Sequence, residues 1–380
     1  MSKRPRPADV ARLVKAIDAI APFHLAEEWD NVGLQAGDPN AAVRCVLVAL
    51  EATPAVVDEA EAVGADALVT HHPLIFKPLA SLAETKPETR VLARLVRSRS
   101  ALIAAHTNLD AVPEGTSGEM AGRLRLVGTE ILFPAPNRAE SVKFAVFVPQ
   151  SHVEAVIDAV ASAGAGVIGN YSHCTFRTPG TGTFKALDGA DPHVGKIGAL
   201  TEASDEVRLE AVCPRARLAA LVSAVRAAHP YEEMAWDAFA LEPSPEPRVG
   251  FGLAGALPKE QTLKAFASLC KKAFGVKSVG VVGDEARVVK RAAVFSGSGG
   301  EAARRWRASL ADVLVTGEMT HHQCAELRDR GGAAVLIGHH ASEAIVCPRL
   351  ARMLAASPLL EGCDVQFLVA RRDFAPATRL

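Results

Sequence analysis

The sequence predicts an α/β protein made of two similar α/β halves, separated by an inserted α+β module. Three observations predict it. Short apolar runs alternate with helical periodicity at both ends of the chain. The texture changes to a β-α-β-β-α-β order near Ser141 and reverts after Pro247. Two outer segments match in register: Ala65-Asp66-Ala67-Leu68-Val69-Thr70-His71-His72 and Ala311-Asp312-Val313-Leu314-Val315-Thr316-Gly317-Glu318.

In the first segment, Asp9 is placed to cap a helix whose Val10, Leu13, Val14, Ile17 and Ile20 form one apolar stripe, ending before Pro22. The connector Glu27 to Leu34 holds Trp29, Asp30 and Asn31, which either line a site or form a capping turn. Val43 to Leu50 reads as a strand and Pro54 to Val63 as a helix with proline in its first turn. The strand Ala67 to Val69 delivers His71 and His72. A helix follows Pro87, and the strand Ala101 to Ala105 delivers His106 and Asp110. This alternation predicts a mostly parallel sheet.

In the middle segment, Val142 to Val148 is a strand and Ser151 to Ala163 a helix. Gly169 to Phe176 and Gly180 to Phe184 read as the arms of a hairpin. Strand Val207 to Val212, helix Arg215 to Ala228 and a last strand near Asp237 to Leu241 complete a ferredoxin-like order, and Pro243, Pro245 and Pro247 mark a stiff linker. The expected domains are 1–138 and 246–380 for the two halves and 139–245 for the insertion.

The last segment begins with a helix over Lys259 to Phe274, then strands at Val279 to Val282 and Ala292 to Phe295. The turn Ser296 to Gly300 follows, either a phosphate cradle or a tight βα turn. Strand Asp312 to Thr316 ends in Gly317-Glu318, the next helix carries His321 and His322, and strand Ala334 to Ile337 ends in Gly338-His339-His340-Ala341-Ser342-Glu343.

Ligand sites in open α/β sheets form beyond the carboxyl ends of strands, and here four strand ends carry imidazoles or acids. His106-x3-Asp110 and His339-x3-Glu343 share one spacing, so convergence of the two segments would gather His71, His72, Asp110, His339 and Glu343 as metal ligands. Imidazole and carboxylate without thiolate suit Zn, Fe, Mn or Ni. Five candidates exceed a closed tetrahedral set, which points to two divalent ions about 3.5–4 Å apart sharing a carboxylate and a water, an arrangement suited to hydrolysis. His106, Glu318 and His322 stand as catalytic candidates, supporting the ligands or moving protons. Chemistry alone leaves the choice between His339 and His340 open.

The chain's 380 residues, 49% hydrophobic, exceed what one core usually serves. A formal net charge of -1 gives no electrostatic case for nucleic acid or an anionic membrane. No run reaches the roughly 18 apolar residues of a spanning helix, and seven cysteines without a CxxC fit reduced thiols in a cytoplasmic protein.

Trp29-Asp30-Asn31-Val32-Gly33-Leu34, Thr70-His71-His72-Pro73, His106-Thr107-Asn108-Leu109-Asp110, Thr316-Gly317-Glu318 and Gly338-His339-His340-Ala341-Ser342-Glu343 together resemble the Nif-three-like family, the GTP cyclohydrolase 1 type 2 homologues. The middle segment, with Asn170-Tyr171-Ser172-His173-Cys174 and His229-Pro230-Tyr231-Glu232-Glu233, resembles the PII/CutA-like insertion of its longer bacterial members. The resemblance implies a dinuclear site, carried onto His71, His72, Asp110, His339 and Glu343, in a toroidal homohexamer built as a trimer of dimers. Two functions follow from it. One is a metal-dependent hydrolase of a small nucleotide or pterin-like substrate; the alternative is a non-enzymatic protein that stores, delivers or senses metal.

Overall fold

Val46, Leu47 and Val48 point alternately to opposite faces of one sheet, and all three are buried, because helices cover both faces. This first sheet has five strands in the spatial order Gln366–Val369, Cys45–Ala49, Ala67–Thr70, Ala101–Ala104, Gly33–Ala36; the first four are parallel and the last is antiparallel. On one face, Val46, Val48, Val69 and Ile103 pack with Leu13 and Ile17 of the helix Val10–Ile20 and Leu350 of the helix Val346–Ala355. On the other, Leu47, Leu68 and Leu102 pack with Val56, Val57 and Leu95. Each fully buried aliphatic side chain of this kind contributes about 1.5–3 kcal/mol. Asp9 caps the first helix as expected, its side chain accepting from the Arg12 N–H at 2.7 Å.

The structure is a computed structural model describing residues 6–134, 141–168, 171–241 and 249–376. Two compact units make up the chain, one of residues 1–135 with 248–380 and one of 136–247. Pro243, Pro245, Pro247, Gly169 and Asn170 lie outside the described residues.

The first unit holds a second sheet of six strands: Gly280–Val282, Ala334–Leu336, Val313–Glu318, Val288–Ser298, Gly250–Thr262, Val127–Pro134. Only its central three strands are parallel to one another, so the expectation of a mostly parallel sheet describes the first sheet and not this one. Two strands unread in the sequence account for the difference. Val127–Pro134 and Gly250–Thr262 pair antiparallel, with Pro134 opposite Gly250. The insertion thus leaves and re-enters at neighbouring backbone positions, where an added module costs little more than loop closure. The expected helix from Lys259 starts later, at Leu263, where the Thr262 hydroxyl accepts from the Ala265 N–H.

Strand order repeats between the sheets. In each, an antiparallel edge strand precedes three parallel strands in sequence and pairs with the last of them. The matched aspartates do one job in both: Asp66 Oδ2 accepts from the Arg44 and Cys45 N–H groups at 2.7 and 3.0 Å, and Asp312 Oδ2 accepts from those of Lys290 and Arg291 at 2.8 Å each. The chain's last strand crosses over to the first sheet, so residues 246–380 serve both sheets rather than forming a separate half.

The second unit follows β-α-β-β-α-β: Ser141–Pro149, Val153–Ser162, Thr175–Lys185, Leu200–Pro214, Leu218–Ala228, Trp236–Ala240. Its antiparallel sheet runs Trp236–Ala240, Ser141–Pro149, Leu200–Pro214, Thr175–Lys185. Phe144, Val146, Val156, Val160, Leu221 and Val225 form its core. The expected hairpin between residues 169–176 and 180–184 is absent among the described residues. Gly180 to Phe184 continue the strand begun at Thr175, and the partner arm is Leu200–Pro214. Glycines and threonines without apolar alternation hid that continuity. Among the described residues, no helix is long and apolar enough to cross a membrane, and all seven cysteines are free thiols.

Candidate metal centre

Strand Ala67–Thr70 ends with the His71 N–H bonded to Ala49 O and the His72 N–H bonded to Leu50 O, which extends the ladder to both histidines. The imidazole of His71 is fully buried. Its Nδ1 donates to Ala105 O at 2.8 Å, leaving Nε2 buried without a hydrogen-bond partner, 3.7 Å from Asp110 Oδ1. Burial pushes the His71 pKa down, so the ring is neutral and Nε2 offers a lone pair.

Three other rings follow the same rule. His72 Nδ1 lies 3.0 Å from Glu51 Oε1, His106 Nδ1 lies 2.9 Å from Asp30 Oδ1, and His339 Nδ1 lies 3.1 Å from Glu318 Oε1. Holding Nδ1 on an oxygen fixes both tautomer and ring orientation and presents Nε2, the usual outer arrangement of metal-binding histidines. The ligand atoms of His71, His72 and His106 lie within 4.8 Å of one another, as do those of His72, His339 and Glu343. His72 belongs to both groups.

Glu343 joins the two sheets electrostatically. Its Oε2 lies 3.0 Å from both His72 Nε2 and His339 Nε2, and the side chain is 6% exposed. Burial disfavours its charge, yet His339 and His72 outweigh burial and hold it well below the usual carboxylate range. Burial likewise works against charge on His72, but Glu343 and Glu51 raise its pKa to about 10. Glu343 and Glu318 raise His339 to about 9, against burial. A carboxylate field that holds protons on these rings favours any cation placed among them.

The donor set therefore fits a borderline metal: neutral or displaceable imidazoles, carboxylates and one orphaned buried nitrogen, with no cysteine in either group. Asp110 stands beside the first group rather than inside it, its Oδ1 accepting from the hydroxyls of Thr116 and, at 3.1 Å, Ser296. His340 turns away: its Nε2 lies 3.6 Å from Asp373 Oδ1, while His339 faces Glu343. Glu318, 56% exposed, reaches the cluster only through His339 Nδ1. His322 lies on the exposed face of the helix His321–Asp329, its ring beside that of His321, and joins neither group.

Two supporting acids escaped the sequence reading or were left open by it. Glu51 stands directly after the strand Cys45–Ala49 and its neighbour Leu50, a strand-end position open to the same reasoning as His71. Asp30 is no simple turn residue. Its side chain is fully buried, bonded to His106 and to the N–H and hydroxyl of Thr107. Burial alone would raise its pKa, but those partners lower it to about 2.

Apart from the Ser296 hydroxyl on Asp110, Ser296 to Gly300 serve the site as backbone. The Gly297 N–H donates to Ser342 Oγ and the Gly299 N–H to Glu318 O, so these two amides are already engaged. Gly297 adopts φ +60°, and a Cβ there would collide with Glu343 Oε1. A cavity of about 600 Å³ opens beside the cluster, lined by His106, Asp110, His339 and Glu343 and walled by Trp29, Phe133, Phe251 and Phe295.

Comparison with known proteins converges on one family. Residues 8–374 match the model of Duf34/NIF3 (NGG1p interacting factor 3). The chain is 39% identical over 350 residues to the GTP cyclohydrolase 1 type 2 homolog of Mycobacterium tuberculosis, covering 91% of each. It is 37% identical over 370 residues to the Bacillus subtilis protein of that name, covering 97% of this chain and 98% of the other. A crystal structure of a Bacillus cereus protein related to NIF3 aligns over 100% of both chains with a TM-score of 0.69 and 35% identity. With these matches spanning nearly its whole length, the chain belongs to the Duf34/NIF3 family.

Proposed function

We propose that this chain is a metal-dependent hydrolase with a dinuclear centre, acting on a small nucleotide or pterin-like substrate. One observation carries the reading: four imidazoles have Nδ1 held by an oxygen, and two ligand groups share His72. His71, His72, Asp110, His339 and Glu343 would hold two divalent cations drawn from Zn, Fe, Mn or Ni. Such a pair, when bound, supplies Lewis-acid polarisation and water activation at neutral pH.

The protein's own groups supply position and proton handling. His106 lines the cavity and is steadied by Asp30 through Nδ1, which makes Nε2 the nitrogen able to ligate or to carry a proton. Glu318 orients His339, and Glu51 orients His72. The aromatic wall suits a flat heterocycle, and about 600 Å³ suits a nucleotide-sized ligand. The names of the mycobacterial and Bacillus relatives support a cyclohydrolase-type reaction.

The strand order of residues 141–241 supports a ferredoxin-like module of the PII/CutA kind, with a regulatory role in the same protein. The ring hexamer carries over from the family resemblance and the cytoplasmic location from the seven cysteines without a CxxC, both as parts of this reading. The test is elemental analysis of protein purified without chelator or affinity metal, coupled to a screen of nucleotides for hydrolysis. Two divalent ions per chain and turnover lost in Asp110→Ala are expected. Turnover unchanged after confirmed metal loss would overturn the hydrolase reading and leave metal storage or sensing.

A further inference from the structure

A second cavity, of about 490 Å³, adjoins the first and shares Phe133, Arg304 and Arg305 with it. Four arginines line it, Arg304, Arg305, Arg307 and Arg330, and no acidic residue does. Two of them are committed within the protein. Arg304 pairs with Glu301, and Arg330 pairs with Glu326 and donates to Arg304 O. Arg305 is held differently, its guanidinium 4.2 Å from the centre of the Phe133 ring, a stacking contact that orients the group while leaving its edge donors unspent. Among the described residues, neither Arg305 nor Arg307 has a carboxylate partner. Trp306, 3% exposed, lines the same cavity, and its indole Nε1 is buried without an acceptor.

A concave surface with several unspent N–H donors, positive charge and no opposing acid is complementary to an anion with many oxygens. The geometry points to a phosphate subsite: Arg305 and Arg307 bind the phosphate or diphosphate group of a small-molecule substrate whose reacting part extends across Phe133 to the metal cluster. The assignment of that anion to a substrate rests on the hydrolase reading; anion binding itself does not. Arg305 is well suited to the junction, because it touches both cavities and is already immobilised by Phe133.

Calorimetric titration of the full-length protein with inorganic pyrophosphate tests this. Arg305→Gln and Arg307→Gln should each weaken binding at least tenfold, Arg305→Lys should keep part of it, and Arg328→Gln, on the helix His321–Asp329 and lining neither cavity, should bind within about twofold of the parent. Circular dichroism and metal content of each variant accompany the titration. Undiminished affinity in both arginine variants, with loss in Glu343→Gln, would put the anion on the metal cluster and overturn the inference. Absence of pyrophosphate binding, or binding of an oligonucleotide alone, would overturn it too. Failure of the hydrolase reading looks different: no metal in the parent protein, with arginine-dependent pyrophosphate binding intact.

Discussion

His72 Nε2 and Glu343 Oε2 lie 3.0 Å apart although 271 positions separate them in sequence. The contact joins the carboxyl end of a strand in one sheet to a short helix after a strand in the other, and Glu343 meets His339 at the same oxygen. Removing the negative charge while keeping the shape should therefore strip the shared position of its cation attraction. Glu343→Gln is expected to lose most bound metal while its far-ultraviolet circular dichroism stays that of the parent. Full metal content in that variant would show that Glu343 is not a ligand.

The acids behind the imidazoles make a graded prediction. Losing a partner that orients a ligating histidine typically costs 10–100-fold in metal affinity. Asp30 is fully buried and holds Thr107 and His106, whose ring completes the group with His71 and His72, whereas Glu318 is more than half exposed and free to be replaced by water. Competition against a chromophoric chelator should show the larger loss for Asp30→Asn and the smaller for Glu318→Gln. Equal losses would contradict the burial argument.

Gly297 is required twice over. Its φ of +60° costs an L-residue roughly 1–2 kcal/mol, and a side chain there would press on Glu343. Gly297→Ala should lower the thermal midpoint by roughly 2–8 °C, from about 2–4 °C per kcal/mol in a unit of this size, and reduce metal content together with it. A parent-like midpoint and metal load would mean that the turn relaxes without displacing Glu343.

In the inserted module, His229 responds to acid. Burial lowers its pKa, although its Nε2 donates to Phe147 O; its Nδ1 accepts from the Tyr231 N–H, which requires the neutral ring. An unfolded histidine titrates near 6.5, so the unfolded chain takes up this proton first as pH falls. The contribution is complete above about pH 6.5 and is lost as pH drops through that value toward the depressed folded pKa. Histidine resonances followed by NMR should give His229 a titration midpoint below about 6.5, the value of an unfolded histidine, and urea midpoints should fall over the same interval. A midpoint at or above 6.5 would refute this.

The helices, the parallel strand runs and the residues at their carboxyl ends were legible because each depends on neighbours in sequence. Pro54 in the first turn of its helix, the apolar run of Cys45–Ala49 and the histidines after Thr70 are local signals of this kind. The repeated Asp66 and Asp312 were visible as a match of letters; their shared role as acceptors of two backbone N–H groups required coordinates.

By itself the sequence determined which side chains stand at strand ends and which segments alternate between strand and helix. Tertiary structure alone decided that His339 rather than His340 faces Glu343, that Asp30 and Glu51 brace the rings, and that Gln366–Val369 returns to the first sheet. The reason is range. Caps and apolar periodicity act over a few residues, whereas ring orientation and strand partnership are set by packing between segments hundreds of positions apart.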